Sequence, residues 1–414
     1  MVRAMKDSGI EWIGEIPEGW EVDKTKHYYT NHKDIAGNRS EEFERLALTL
    51  NGVIKRPKDD STGLQPEAFN GYQILRSGEL VFKLIDLENV STSRVGYSPF
   101  TGIVSPAYII LQPNKAEESL YGVYYFLSMW QREIFNHMGD DGVRSSLNAS
   151  DLLNIPYLKV PNGEKAKIVS FLDTECVRID MVIEQTRASI EEYKKLKQSV
   201  ITQAVTKGIR PGRKMKDSGV EWIGEIAEDY ELEKLKYVCE ILDQYRSPIT
   251  ADQRNQNAEV LYDYYGASGA IDKIDGYTID DHVMLIGEDG ANLRMRNLPL
   301  MYEVNGKAWI NNHAHILKPK DGMDFHYLFF TLEALDINPY ITGSAQPKLS
   351  QDNLKNIWLP VPALDEQIEI AGYIKDQAIK IDALIRKKRL YLSELETYKK
   401  SLIYEYVTGK RTVT

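Results

Sequence analysis

Between Leu172 and Ala204 a seam of positions recurs at alternating spacings of four and three: Leu172, Cys176, Ile179, Ile183, Thr186, Ile190, Tyr193, Lys197, Val200 and Ala204. Adding 202 to each number gives Ile374, Ala378, Ile381, Ile385, Lys388, Leu392, Leu395, Lys399, Leu402 and Tyr406, in the same register. This is the heptad seam of a coiled coil, and it predicts helices over about 164–207 and 366–408. Both stretches lack proline and nearly lack glycine. The first would be roughly 65 Å long at the α-helical rise of 1.5 Å per residue. Pro161 stands before one, Pro360 and Pro362 before the other; Gly208 and then Pro211 stop the first, and the second ends near Gly409. Both seams break at the same places, Thr186 with Lys388 and Lys197 with Lys399. A long helix with so narrow an apolar stripe needs a partner, and the matching copy is the nearest. We therefore expect the two helices to pack antiparallel, with a dimerisation stalk as the simpler alternative.

Ahead of each helix the period changes to two, in short apolar runs cut by turn residues, which predicts strands. Residues 78–82 (GELVF) correspond to 281–286 (DHVMLI), and 105–113 to 312–319. The ends of these regions also repeat. Residues 5–16 (MKDSGIEWIGEI) return at 215–226 (MKDSGVEWIGEI), eleven identical positions of twelve at an offset of 210. Residues 147–155 return at 349–357, at an offset of 202, because the stretch between the repeats is eight residues shorter in the second copy. A period near 200 is too long for a solenoid. The expected architecture is α/β (α+β): two strand-rich domains separated by two long antiparallel coiled-coil helices, with a pseudo-twofold internal repeat. The expected boundaries are a first domain at 1–154, a first helical spacer at 155–212, a second domain at 213–356 and a second spacer at 357–414.

Composition narrows the picture only slightly. A hydrophobic fraction of 43% over 414 residues fills real cores, and no apolar run approaches a membrane span. Two cysteines form no disulfide framework, so a cytoplasmic location and no membrane partner are expected. The net charge of −10 argues mildly against nucleic acid, unless basic groups are concentrated locally.

Candidate chemistry lies in the loops. The first domain offers Lys55, Arg56 and Lys58, then Arg94, then Arg144, Ser145 and Ser146. The second offers Tyr265 and Ser268, Arg294 and Arg296, then Ser344, Gln346 and Lys348. Such side chains pair with base edges and phosphates, although ordinary solvated loops use them too. The loops ending at Ser146 and Lys348 stand out, because equivalent positions just ahead of a shared framework differ in polar chemistry. His313 and His315 alternate on one strand face, yet no Asp, Glu or Cys lies close in sequence to complete a zinc site, so a structural role is expected. Asn338-Pro339-Tyr340 lacks the rest of a methyltransferase signature, and no Walker loop is present. The turn at 287–290 reads as a tight turn rather than an acid pair. No nucleophile, base and orienter assemble, so an enzyme is not expected.

The opening motif SGIEWIGEIP with Trp20, its repeat at 218–226, the stretch 264–269 (YYGASG), the stretch 343–350 (GSAQPKLS), and Pro360-Val361-Pro362 leading to Glu366-Gln367 together resemble the specificity subunits of type I restriction–modification systems. The resemblance covers nearly the whole chain. Two departures stand out: residues 227–230 read AEDY where 17–20 read PEGW, and the first helix begins Glu164-Lys165. The resemblance implies a non-catalytic subunit with two target recognition domains reading double-stranded DNA at a bipartite, asymmetric site, a phage-defence role. It further implies two modification (methyltransferase) subunits as partners, which bind S-adenosylmethionine where this chain binds no cofactor, and a restriction/translocase subunit. A protein-interaction scaffold with a coiled-coil stalk is the alternative.

Overall fold

The computed structural model describes residues 3–60, 66–85, 87, 93–138, 146–250, 252 and 259–413. By packing, the chain divides into two units, Met1–Arg187 with Leu390–Thr414, and Ala188–Arg389. Residues 1–154 and 213–356 each fall whole within one unit, while both long helices, Asn162–Lys207 and Leu364–Val407, contribute to both.

In the first unit a hairpin pairs Met5–Asp7 with Glu15–Pro17, and strand Glu21–Lys24 pairs antiparallel with Pro156–Lys159. The two repeated ends of the domain are therefore neighbours in space, joined into one clasp at the foot of the long helix. Between them lie two four-stranded sheets. One holds Leu80–Phe82 against Ile109–Pro113, the two strands expected from the sequence. Strand alternation splits two cores: Leu80 and Phe82 face helix Glu117–Gln131 and the long helices, and Val81 faces Leu48, Leu75 and Ile110.

The second unit repeats this plan with different contents. Hairpin Met215–Asp217 with Glu225–Ala227 and clasp Glu231–Lys234 with Trp358–Val361 keep the registers of the first unit. Its middle is a single six-stranded sheet ordered Cys239–Ile241, Ala314–Pro319, Ile279–Gly287, Met301–Ile310, Tyr262–Gly266, Gly269–Ile274. Here too Met284 and Ile286 face one core, and Val283 and Leu285 the other.

The opening motif of each domain grips a glutamate one turn into a long helix. Trp20 Nε1 donates to Glu164 Oε2 at 2.9 Å, and Arg3 pairs with the same carboxylate. In the second unit Tyr230 donates its hydroxyl to Glu366 Oε1 at 2.7 Å, and Arg213 pairs with Glu366. The departure of Tyr230 from Trp20 thus keeps the donor and its target. Lys165, buried, forms an ion pair with buried Glu118; its counterpart Gln367 accepts the backbone N–H of Asp324 at 2.8 Å. A charged pair in one copy is a hydrogen bond to a side-chain amide in the other. The far ends of the helices are seated the same way. Tyr121 donates to the Val407 carbonyl at 2.8 Å, and Tyr327 donates to the Val205 carbonyl at 3.1 Å. Gly208 and Gly409 take φ of 74° and 72°, and a Cβ on either would press into Tyr230 or into Pro17 and Trp20.

Within each unit the two helices run antiparallel. In the first, Phe171 stacks on Tyr406, Lys399 bridges Asp180 at 2.5 Å, and Arg187 reaches Glu396 at 3.1 Å, so one number rises as the other falls. In the second, Lys388 lies over the Tyr193 ring, Lys197 bridges Asp382 at 2.7 Å, and Arg210 reaches Glu369 at 2.8 Å. The seam's polar breaks are accounted for. Lys197 and Lys399, 202 apart, each find an aspartate on the opposite helix, and those aspartates are also 202 apart.

Ile183 and Ile385 are each 6% exposed in their own unit. Replacing either with Asp places a charge against apolar neighbours and should cost on the order of 3–5 kcal/mol; denaturant unfolding checks this, and wild-type midpoints for both variants would sink the seam. The Glu164 and Glu366 carboxyls are pushed up by partial burial, yet the bonds from Arg3 and Trp20, and from Arg213 and Tyr230, outweigh it and hold both below the ordinary 4.5. Depressed acids bind fewer protons folded than unfolded, so their stabilisation is full above the unfolded value and is lost as pH falls through the folded one. A Glu164→Gln/Glu366→Gln variant should therefore be less stable near neutrality and show a shallower loss of stability below about pH 5, read by thermal melting across pH.

Candidate nucleic-acid interface

In the second unit the polar loops converge. Thr342 and Lys348 exchange backbone hydrogen bonds at 2.9 and 2.8 Å, closing residues 343–347 into a loop. A Cβ on Gly343, at φ 79°, would collide with the Gln346 carbonyl, so the tight start requires glycine. Ser344, Gln346 and Lys348 are exposed, whereas Pro347 is buried and its carbonyl accepts from the Gly290 amide at 3.1 Å. That bond, with Leu349 N–H to the Glu288 carbonyl at 2.7 Å, ties the loop to the turn at 287–290. Arg294 Nη2 donates to the Gly343 carbonyl at 3.2 Å. The turn after strand Tyr262–Gly266 joins from another side: the Ala267 carbonyl lies 2.8 Å from where a Gly287 Cβ would be. Ser268 is exposed on that turn. Three segments far apart in sequence thus form one rim of Ser268, Arg294, Ser344, Gln346 and Lys348.

Beneath the rim the loop is bolted to the sheet. His315, 1% exposed, sets Nδ1 2.7 Å from Asp243 Oδ2 and Nε2 2.9 Å from the Leu349 carbonyl. Asp243 also accepts from the Ile316 amide and from Gln351. Burial raises the Asp243 carboxyl, but His315, the amide and Gln351 outweigh it and hold it below its ordinary value. Glu288, also pulled down against burial, takes Arg246 and, at 3.1 Å, Lys348. Lys348 is therefore held at the loop's base by a carboxylate. Asp243 and Asp289, the latter 2.8 Å from His313 Nδ1, correct the expectation that no acid lies near these histidines. The fold brings them in from 72 and 24 residues away. His315 has the structural role expected of it. Sequence reasoning missed Arg246 and Asp243, which carry no local motif, and read Glu288 only as part of a tight turn.

The first unit repeats the geometry at the loop's base. Ser146 bridges Ile85, as Lys348 bridges Asp289, and Leu147 N–H donates to the Leu84 carbonyl at 2.9 Å. Arg144 and Ser145 lie outside the described residues. Lys55, Arg56 and Lys58 already hold carboxylates: Lys55 with Glu44 at 2.5 Å, Arg56 with Asp60 at 2.6 Å, and Lys58 with Glu41 at 3.0 Å.

Three expectations change. Arg94 is fully buried and is not a surface reader in this conformation. Arg296, in the left-handed region at φ 51°, donates to the carbonyls of Glu333 and Leu335, so its guanidinium serves the end of helix Phe325–Ala334 and not the rim. Tyr265 is half-buried and packs on the inner core of the sheet, with its phenol pushed up by burial.

Residues 227–392 match the family model described as the type I restriction modification DNA specificity domain. Over 96% of this chain, and 95% of the relative, it is 26% identical to a putative type I restriction enzyme MjaX specificity subunit of Methanocaldococcus jannaschii. The chain thus contains a stretch matching that specificity domain and is similar over nearly its whole length to a type I restriction enzyme specificity subunit. A Haemophilus influenzae relative, putative specificity subunit S.HindORF215P, is 31% identical over 142 residues, 34% of this chain and 36% of that one. A chain from a solved structure described as the basis of complex assembly and conformational transition of the type I restriction–modification system shares the fold. Its TM-score is 0.72 at 14% identity, over 96% of this chain and 99% of that chain. Among the described residues no helix is long and apolar enough to cross a membrane.

Removing the bolt should free the rim without unfolding the unit. Asp243→Asn should speed amide hydrogen exchange at 342–349 while leaving strand Met301–Ile310 protected, and unchanged exchange in the loop would refute the anchoring role.

Proposed function

We propose that this specificity subunit reads a bipartite, asymmetric DNA site, one half with each recognition domain, and acts without catalysis of its own. The observation that carries this is the match between units: identical clasps and glutamate anchors hold middles whose exposed loops differ in chemistry. Two equal mounts with unlike readers suit two unlike half-sites. Ser268, Ser344, Gln346 and Lys348 are the proposed base-reading or phosphate-contacting groups of the second domain, with Arg294 bracing their loop. Arg144, Ser145 and Ser146 are proposed for the first, with Lys55, Arg56 and Lys58 as phosphate contacts once released from their carboxylates. The paired helices would set the length of the unread spacer. Two modification subunits, carrying S-adenosylmethionine, and a restriction/translocase subunit are the proposed partners, in the cytoplasm.

Mapping methylated adenines in a host that carries this chain with its modification subunit tests the reading. Two short defined sequences separated by an indifferent gap are expected. Exchanging residues 20–154 for another reader should change one half only. Gln346→Ala or Lys348→Ala should relax particular positions of the other half, each lost base contact worth roughly 1–3 kcal/mol. A single continuous motif, or one indifferent to these substitutions, would refute the two-reader scheme.

A further inference from the structure

The second unit holds a cleft of about 970 Å³, walled by both long helices, helix Phe325–Ala334 and the segment before strand Met301–Ile310. Its floor is apolar: Ile201, Leu298, Met301, Phe329, Phe330 and Ile385. Leu298, on that floor, is 48% exposed. The charged groups at the rim divide by what they already do. Glu333 accepts from the Leu300 and Met301 amides, Asp336 accepts from Asn338, and Arg296 donates to helix carbonyls. Lys197 is bridged to Asp382, and Lys194 to Glu191. Arg386 and Arg389 are exposed, one turn apart, and make no ion pair among the described residues.

The internal repeat supplies a control. The five charged positions that the two long helices give the cleft are Lys194, Lys197, Asp382, Arg386 and Arg389, four cations against one carboxylate, a net of +3. Their counterparts 202 residues away, in the first unit, are Glu396, Lys399, Asp180, Glu184 and Arg187, two cations against three carboxylates, a net of −1. The structural Lys–Asp bridge persists, and Arg389 has its counterpart in Arg187, which is neutralised by Glu184 and Glu396. A helix-pairing role would keep both copies alike. Four units of charge separate them, in a chain whose overall net charge is −10.

We propose that this cleft is a docking site for an acidic amphipathic helix of a partner protein, taken up once per chain. The apolar floor receives one face of such a helix, and Arg386 and Arg389 meet the carboxylates beside it. Duplex DNA would satisfy the arginines but has nothing to place on Leu298, Phe329 and Phe330. The proposal stands apart from the half-site reading, because Ser268, Arg294, Ser344, Gln346 and Lys348 do not line the cleft.

The test uses the full chain and a fluorescein-labelled helical peptide of about 18 residues, with leucines on one face flanked by glutamates. Fluorescence anisotropy should report one peptide per chain, weakened by salt. Arg386→Glu/Arg389→Glu should weaken it at least about tenfold, and Leu298→Ser should weaken it as well. Arg187→Glu, the first-unit counterpart, should leave it unchanged. A scrambled peptide of the same composition and a random-sequence duplex should not compete. Circular dichroism checks each variant's fold, and Arg386→Gln/Arg389→Gln replaces the charge reversal if that variant misfolds. Absence of binding, binding indifferent to the arginines, two peptides per chain, or displacement by the random duplex would each overturn the proposal. The last would make the cleft a phosphate site.

Discussion

Everything else in each unit hangs on one carboxylate. Glu164 and Glu366 sit one turn into the long helices, where the helix dipole already favours negative charge, and each is held by an arginine and an aromatic donor from the domain's opening motif. These bonds join the first residues of a domain to the helix that follows it more than a hundred positions later. The clasp strands close the same gap with backbone bonds, so both ends of a recognition domain are fixed at one place. The middle is then free to vary without disturbing its mount.

The seam between the helices follows the same economy. Apolar positions such as Ile183 and Ile385 supply the burial, and the repeated bridges Lys197–Asp382 and Lys399–Asp180 restrict the register. Charged groups at seam positions cost stability compared with leucine, but they penalise a slipped or parallel pairing, in which each lysine would face an apolar residue. The buried Lys165–Glu118 pair and its Gln367–Asp324 substitute show that the two copies need not match in chemistry to match in geometry.

The frame was legible in the sequence because periodicity and repetition are local signals. The helices, their glycine ends, the paired strands around Val81 and Leu285 and the base of the loops at Ser146 and Lys348 all follow from spacing. The rim was legible only in part. Gln346 and Lys348 stand out in the sequence because they border a repeat, while the burial of Arg94 and the inward turn of Arg296 do not show there, because a basic residue in a polar stretch looks the same whether it points outward or folds back. Arg94 is enclosed by strands, and Arg296 turns to the carbonyls of a helix that begins 29 residues later. The anchors Asp243 and Glu288 were invisible for the same reason: their partners, His315, Arg246 and Lys348, are brought close only by the fold.

The seating of the helix ends also bears on topology. Gly208 lies against the opening motif of the second domain, at Arg213 and Tyr230; Gly409 lies against that of the first, at Pro17 and Trp20, where Lys410 donates to the Glu15 carbonyl at 2.7 Å. In the second unit that junction is a covalent peptide segment, and in the first it is contact alone. The two junctions are alike in contact, a glycine turn at a helix end seated on an opening motif, so a reader exchanged between such junctions keeps its mount.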